Sequence, residues 1–179
     1  MRPGVLAFLL ALSLGLAGCA HYQLGTSGKL AFTTLYIAPV ANHVVTLAQA
    51  QVPVTTQLRQ TFEDDGRVVL VNSPQEADAT LTVVLSDYHR EVAAVLESDT
   101  GLASKFNVTL GATCSLRDNR SGRAFFDQRV VAVQQGVYVD NGLPHSSAIG
   151  NQLQSEYNTI PLLATALSAK VAHAVLDVW

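Results

Sequence analysis

Two groups of residues could do chemistry. The first is Cys19, which closes the run Leu16-Ala17-Gly18-Cys19 behind an apolar stretch. Its thiol could be packed, paired in a disulfide or covalently modified. The second is a set of cations. Arg117, Arg120 and Arg123 fall within seven residues, Arg117-Asp118-Asn119-Arg120-Ser121-Gly122-Arg123. Lys105 shares a face of the strand leading into that turn, and Arg90 ends the strand before it. Guanidinium groups offer forked donors that match phosphate and stay charged. The functional reading is contact with an anionic glycolipid or a partner's acidic loop. The plainer one is a solvated hairpin tip neutralised by Asp118 and Asp127.

Other chemistries lack their residues. The histidines at 21, 43, 89, 145 and 173 show no zinc-ligand spacing. There is no Gly-x-Ser-x-Gly elbow, no phosphate-cradling loop and no dinucleotide glycine fingerprint. Glu63, Asp64 and Asp65 read as a solvated helix end. Nothing here reads as an enzyme, a metal site or a cofactor site.

The context of Cys19 selects among its three roles. Residues Val5–Leu16 are almost wholly apolar, with Arg2 before them and Ala17 and Gly18 after. About 20 apolar residues are needed to span a bilayer, so this run is too short. A short apolar run followed by small residues reads as a secretory leader, and the cysteine behind it resembles the bacterial lipobox. That motif implies a cleaved leader, residues 1–18. It implies a diacylglyceryl thioether on Cys19 and an N-acyl group on its new amino terminus. Two or more chains make a stable anchor. A residue other than aspartate at position 20 implies the outer membrane.

Of the 179 residues, 161 remain after that cut, and losing Arg2 takes the formal charge from −3 to −4. Bulk charge therefore argues against nucleic acid. With Cys19 lipidated, Cys114 has no disulfide mate and reads as a small buried hydrophobe.

The elements that must position these residues follow from periodicity. Residues 19–30 form the lipidated terminus and a short tether, and residues 31–179 form one domain. Leu35–Val40 reads as a strand. Gln51–Asp65 reads as a helix, with Pro53 in its first turn, Val54, Leu58 and Phe62 on one face, and Gly66 at its C-cap. Arg67–Asn72 is a short strand. Ala79–Ser86 alternates, and Lys105–Arg117 alternates through thirteen residues, with Cys114 on the dry face. Ala124–Val139 completes an antiparallel meander, with a bulge near Phe125-Phe126. Glu97–Ala103 and Asp140–Ser147 are loops. The C-terminal segment is helical, with Pro161 either starting the helix or kinking one that begins near Asn151. The expectation is an α+β two-layer sandwich: a roughly four-stranded mixed or antiparallel sheet with two helices on one face.

Taken in order, several segments resemble the lipopolysaccharide-assembly LptE family in its divergent, non-enterobacterial form. They are LAGCAHYQLG, TLYIAPVAN, PVTTQLRQTFEDDGRVVLVNSPQEADATLTVVL, LRDNRSGRAFFDQRV and NTIPLLATALSAKVAHAVLDVW. The resemblance implies an outer-membrane lipoprotein, facing the periplasm or inside a barrel lumen. Its implied partner is the LptD-type β-barrel, with lipopolysaccharide as a possible ligand. The family is associated with a basic patch. Here Arg90, Lys105, Arg117, Arg120 and Arg123 are the candidates, although this chain is acidic overall. The alternative is a lipid-anchored periplasmic module, such as a cell-wall synthase activator or a TolB- or curli-type accessory protein. The short tether favours work close to the membrane.

Overall fold

The computed structural model describes residues 30–95, 97, 103–139 and 148–177. Cys19, the leader and most of both predicted loops lie outside these. In chain order the elements are β1 (Thr34–Ile37), β2 (Ala41–Asn42), a 3-10 segment (Val45–Ala50) and α1 (Gln51–Asp65). Then come β3 (Val69–Val71), β4 (Ala79–Val95), β5 (Ala103–Asp118), β6 (Ala124–Tyr138) and α2 (Ala148–Leu176).

The two helices and the antiparallel β4–β5–β6 meander match expectation, but the sheet has six strands rather than four. Its order is β3-β1-β4-β5-β6, with β2 also beside β4. β1 runs parallel to both β3 and β4, and β2 runs parallel to β4. Thus β1 and β2 are two pieces of one strand path along β4, interrupted at Pro39. Ala38 N–H donates to Leu81 C=O, and His43 N–H donates to Leu85 C=O, both at 2.9 Å. Parallel neighbours need a crossover, and α1 supplies the one from β1 to β3.

The helices form where the sequence gives them an apolar stripe. On α1, Val54, Leu58 and Phe62 are buried, and Gly66 takes φ 71° so that its N–H reaches Phe62 C=O at 3.2 Å. On α2, Leu163, Leu167, Val171 and Val175 are buried at helical spacing. Pro161 lies inside this helix and does not start it. Both helices and the sheet's dry face share one core, which includes Leu35, Leu81, Val83, Leu110 and Leu116. Cys114 is fully buried there, and burial pushes its thiol up to about 11.

The bulge falls where the β6 pattern lost phase. Pairing jumps from Leu116↔Phe126 to Cys114↔Arg129, and Gln128 takes φ 49°. Ser115 Oγ donates to Asp127 Oδ1 at 2.6 Å and accepts from Gln128 N–H at 3.0 Å, pinning the extra residues. Along the outer edge of β6, Lys170 Nζ donates to Ala132 C=O at 2.7 Å, which blunts an otherwise open strand. Arg129 donates to Ala174 C=O at 2.9 Å, satisfying a carbonyl at the end of α2.

Candidate functional site

The RDNRSGR hairpin between β5 and β6 is a built turn. Asp118 accepts from Arg120 N–H at 2.8 Å, Ser121 N–H at 3.4 Å and Ser121 Oγ–H at 2.7 Å. These bonds, the Ser121 hydroxyl above all, hold its carboxyl below the usual range. Gly122 takes φ 71°, a conformation that favours glycine, and its N–H donates to Asp118 C=O at 2.9 Å.

Asn119 fastens this turn to the sheet. Its Nδ2 donates to Pro74 and Ala77 carbonyls, each at 2.9 Å, and its Oδ1 accepts from Thr80 Oγ–H at 2.8 Å. Asp78, at the foot of β4, completes the knot. Its Oδ2 accepts from Thr33 N–H at 3.0 Å, Thr33 Oγ–H at 2.8 Å and Thr34 N–H at 3.1 Å. Its Oδ1 takes the Arg120 guanidinium. The Thr33 and Thr34 bonds hold the Asp78 carboxyl far below the ordinary carboxylate range.

The start of the domain therefore meets the hairpin tip. Phe32 and Phe125 rings stand 5.5 Å apart. A cleft of about 240 Å³ opens beside them, lined by Ala31, Phe32, Thr33, Asp78, Arg120 and Phe125.

The five predicted cations do not form one patch. Arg117 and Arg123 are exposed at the tip, and neither side chain has a hydrogen bond or ion pair among the described residues. Arg120 shares the tip but is opposed by Asp78, not by Asp118 or Asp127. Lys105 lies twelve residues back along β5, about 40 Å away at the rise of a strand. Its Nζ sits 5.0 Å over the Tyr138 ring, and a Cβ at Gly136 would stand 2.9 Å from its Cε. The lysine therefore lies flat because Gly136 leaves room for it.

Arg90 does not end its strand, which continues to Val95. It faces the helix layer, where Nη1 donates to Glu156 Oε1 at 2.7 Å. Glu156 is only 12% exposed and also accepts from Gln152 at 2.9 Å and Tyr88 Oη–H at 3.3 Å. Burial first, then the Glu156 charge, push the Tyr88 phenol up to about 12.

Among the described residues nothing covers the sheet face away from the helices. It presents Thr82, Ser86, Thr109, Thr113, Ser115 and Gln134, with the hydroxyl groups of β4 and β5 side by side. Thr113 Oγ–H donates to Ser86 Oγ at 3.3 Å, and Gln134 Nε2 donates to Thr109 Oγ at 3.4 Å. Among the described residues no group of three His, Cys, Asp or Glu is placed to hold a metal.

The sequence reading missed the Asp78 knot. Its available signal was Ala77-Asp78 directly before an alternating strand, where a short acid can accept backbone N–H groups.

The family model described as LptE, lipopolysaccharide-assembly, matches residues 32–174. No curated protein matches the chain. Among solved structures, a hypothetical protein of Chlamydia trachomatis is similar, with TM-score 0.55 and 9% identity over 82% of this chain and 96% of that one. An uncharacterized lipoprotein B of Nitrosomonas europaea gives TM-score 0.52 and 13% identity, over 87% of each chain. A protein of Xanthomonas campestris gives 0.52 and 13%, over 83% of this chain and 85% of that one. At these identities the likeness is one of fold.

Proposed function

From membership of the lipopolysaccharide-assembly family LptE, to which this chain belongs, we propose that the protein is an outer-membrane lipoprotein. It is anchored through acylated Cys19 and seats in or against an LptD-type β-barrel during lipopolysaccharide insertion. It does this as a non-enzymatic scaffold. The observation that carries the barrel contact is the uncovered sheet face. One face of the sheet is dry under two helices, while the other is polar and has nothing over it among the described residues. Barrel lumens are polar too, so this face, rich in hydroxyl and amide groups and also carrying Asp87, Glu91 and Lys105, matches such a wall.

Contact with glycolipid phosphate falls to the cations without a carboxylate partner. Of the five candidates, those with no carboxylate partner among the described residues are Lys105, Arg117 and Arg123. Arg90 and Arg120 are already opposed by Glu156 and Asp78.

The test is photo-crosslinking in the outer membrane from Thr82, Thr113 and Gln134 on the uncovered face, with Thr165 on the helix layer as control. Adducts with a large β-barrel from the first three support the reading. Adducts with a cell-wall synthase and none with a barrel would replace it with the periplasmic-module alternative. For the anchor, Cys19→Ala should abolish labelling by palmitate and release the protein from the membrane fraction.

A further inference from the structure

Only part of β4 has a neighbour on each side. β1 and β2 line it from Ala79 to Leu85. There the path turns away. Asn42 Oδ1 accepts from Val44 N–H at 2.8 Å and its Nδ2 donates to Leu47 C=O at 3.0 Å, which curls the chain into the 3-10 segment. From Asp87 onward β4 is paired with β5 alone among the described residues. Its other edge presents backbone N–H and C=O groups with no strand beside them. Lys170 blunts the edge of β6, but among the described residues no side chain bonds the backbone of Asp87–Val92.

A wall stands beside this edge. Tyr88, Arg90 and Val92 lie on the helix side, opposite Leu110, Val108 and Phe106. Asp87, His89 and Glu91 lie on the other side, opposite Gly111, Thr109 and Asn107. On the helix side a cleft of about 330 Å³ opens between β4, the 3-10 segment and α2, lined by Thr46, Tyr88, His89, Arg90, Leu153 and Glu156. Leu153 is 59% exposed there. An edge strand and a helix thus form the two sides of a groove, an arrangement that can take an extended peptide as an added strand.

Charge selects the peptide. At this end of the domain four carboxylates, Asp87, Glu91, Glu97 and Glu156, stand against two cations, Arg90 and Lys105, among the described residues. Arg90 is engaged by Glu156, and Lys105 Nζ lies over Tyr138 on β6, across β5 from the free edge. His89 meets Asp87 at 2.9 Å; even with that imidazole charged, the balance stays negative. A second copy fits poorly. Two copies paired about a two-fold axis keep their faces matched, so the axis falls on a residue. Centred on Glu91 or Arg90, like charges meet; centred on His89, Asp87 meets Glu91.

We propose that the groove takes an extended segment of a partner protein as an added strand along Asp87–Val92. Basic side chains of that segment stand beside Asp87 and Glu91, and the apolar ones between them turn into the cleft against Tyr88 and Leu153. Backbone bonds supply the attachment, and the alternate side chains supply the choice of partner. The inference requires neither the lipid anchor nor the barrel contact.

The experiment uses the full lipidated protein in a nonionic detergent, titrated with dye-labelled, capped peptides of alternating lysine and valine. Anisotropy reads binding, and hydrogen exchange reads the β4 amides. The lysine–valine peptide should bind and slow exchange at Asp87–Val92. A glutamate–valine counterpart should bind at least about tenfold more weakly, since each attractive cross-strand pair becomes a repulsive one. Asp87→Asn with Glu91→Gln should weaken the lysine–valine peptide about tenfold, at roughly threefold per lost pair. Only alternate N–H groups of an added strand face its neighbour, so N-methylation in one phase should abolish binding and in the other spare it. No binding at millimolar peptide, equal binding of the two peptides, or equal tolerance of both methylation phases overturns the proposal. Self-association in sedimentation, with slow exchange at Asp87–Val92 before any peptide is added, gives the edge to a second copy and overturns it too.

Discussion

Asp78 gives the sharpest test of how the hairpin tip is held. Three donors from Thr33 and Thr34 converge on one carboxylate oxygen, and Arg120 takes the other. A hydrogen bond to a charged group contributes about 1.5–3 kcal/mol when water is kept away. The Asp78 side chain is 17% exposed and Arg120 82%. The guanidinium pair is thus worth at most about 1 kcal/mol, and the backbone bonds are partly replaceable by water. Asp78→Asn keeps one acceptor for the threonine donors, loses the charge, and presents an amide to Arg120. We expect it to cost about 2 kcal/mol at pH 7, and Asp78→Ala about 3 kcal/mol, since Ala leaves all three donors unmet. The pH dependence has a definite sign. The folded-state carboxyl is depressed below its unfolded value, so its contribution is complete above about pH 4 and is lost as pH falls toward the folded value. Urea unfolding followed by circular dichroism should give a constant gap between wild type and Asp78→Asn from pH 8 to 5, shrinking below pH 4. A gap under about 0.5 kcal/mol at pH 7, or one that persists unchanged at pH 3, refutes the reasoning.

Three further outcomes follow from burial and backbone geometry. Ser168 is fully buried on α2 and its hydroxyl has no partner among the described residues; Ser168→Ala should therefore stabilise by about 1 kcal/mol in the same urea assay, and destabilisation would mean that a bound water satisfies it. Cys114, with its thiol pushed up to about 11 by burial, should be silent to a disulfide reagent at pH 8 and react once urea unfolds the chain. Gly66→Ala has open space around the new methyl but forces φ 71° on an L-residue, so its cost should be about 1 kcal/mol and purely conformational.

What the sequence made legible was local. The alternation of Lys105–Arg117 and the i, i+4, i+8 stripe of α1 each state a periodicity that burial then follows. β1 and β3 read as short strands, but β2, two residues beyond Pro39, shows no period, and the parallel crossover that brings β1 and β3 into the sheet leaves no local pattern. β4 ran on past its predicted end because a register shift between Leu85 and Asp87 breaks the alternation without ending the strand. The arginine cluster shows a different limit. Arg117, Arg120 and Arg123 are near one another in sequence, yet Asp78, 42 residues away, engages Arg120. Adjacent residues name the turn, but only the fold says which charges remain free.

The C-terminal helix bears on where membrane contact can come from. The helix stretch Gln152–Leu176 holds an 18-residue window of mean hydropathy 1.5, long and apolar enough to cross a bilayer. Yet 56% of that window is buried in the sandwich, and its stripe of Leu163, Leu167, Val171 and Val175 covers the dry face of the sheet. Withdrawing it into lipid would gain nothing for those side chains, which are already out of water. It would expose Leu81, Val83, Leu110 and Leu116 on the sheet, each fully burying a side chain worth about 1.5–3 kcal/mol. It would also carry Glu156 and Lys170 toward hydrocarbon, at about 2.5–3.5 kcal/mol each near the bilayer centre, and break their bonds to Arg90 and to the Ala132 carbonyl. The balance keeps α2 in the core. Among the described residues no other helix reaches that length and hydropathy.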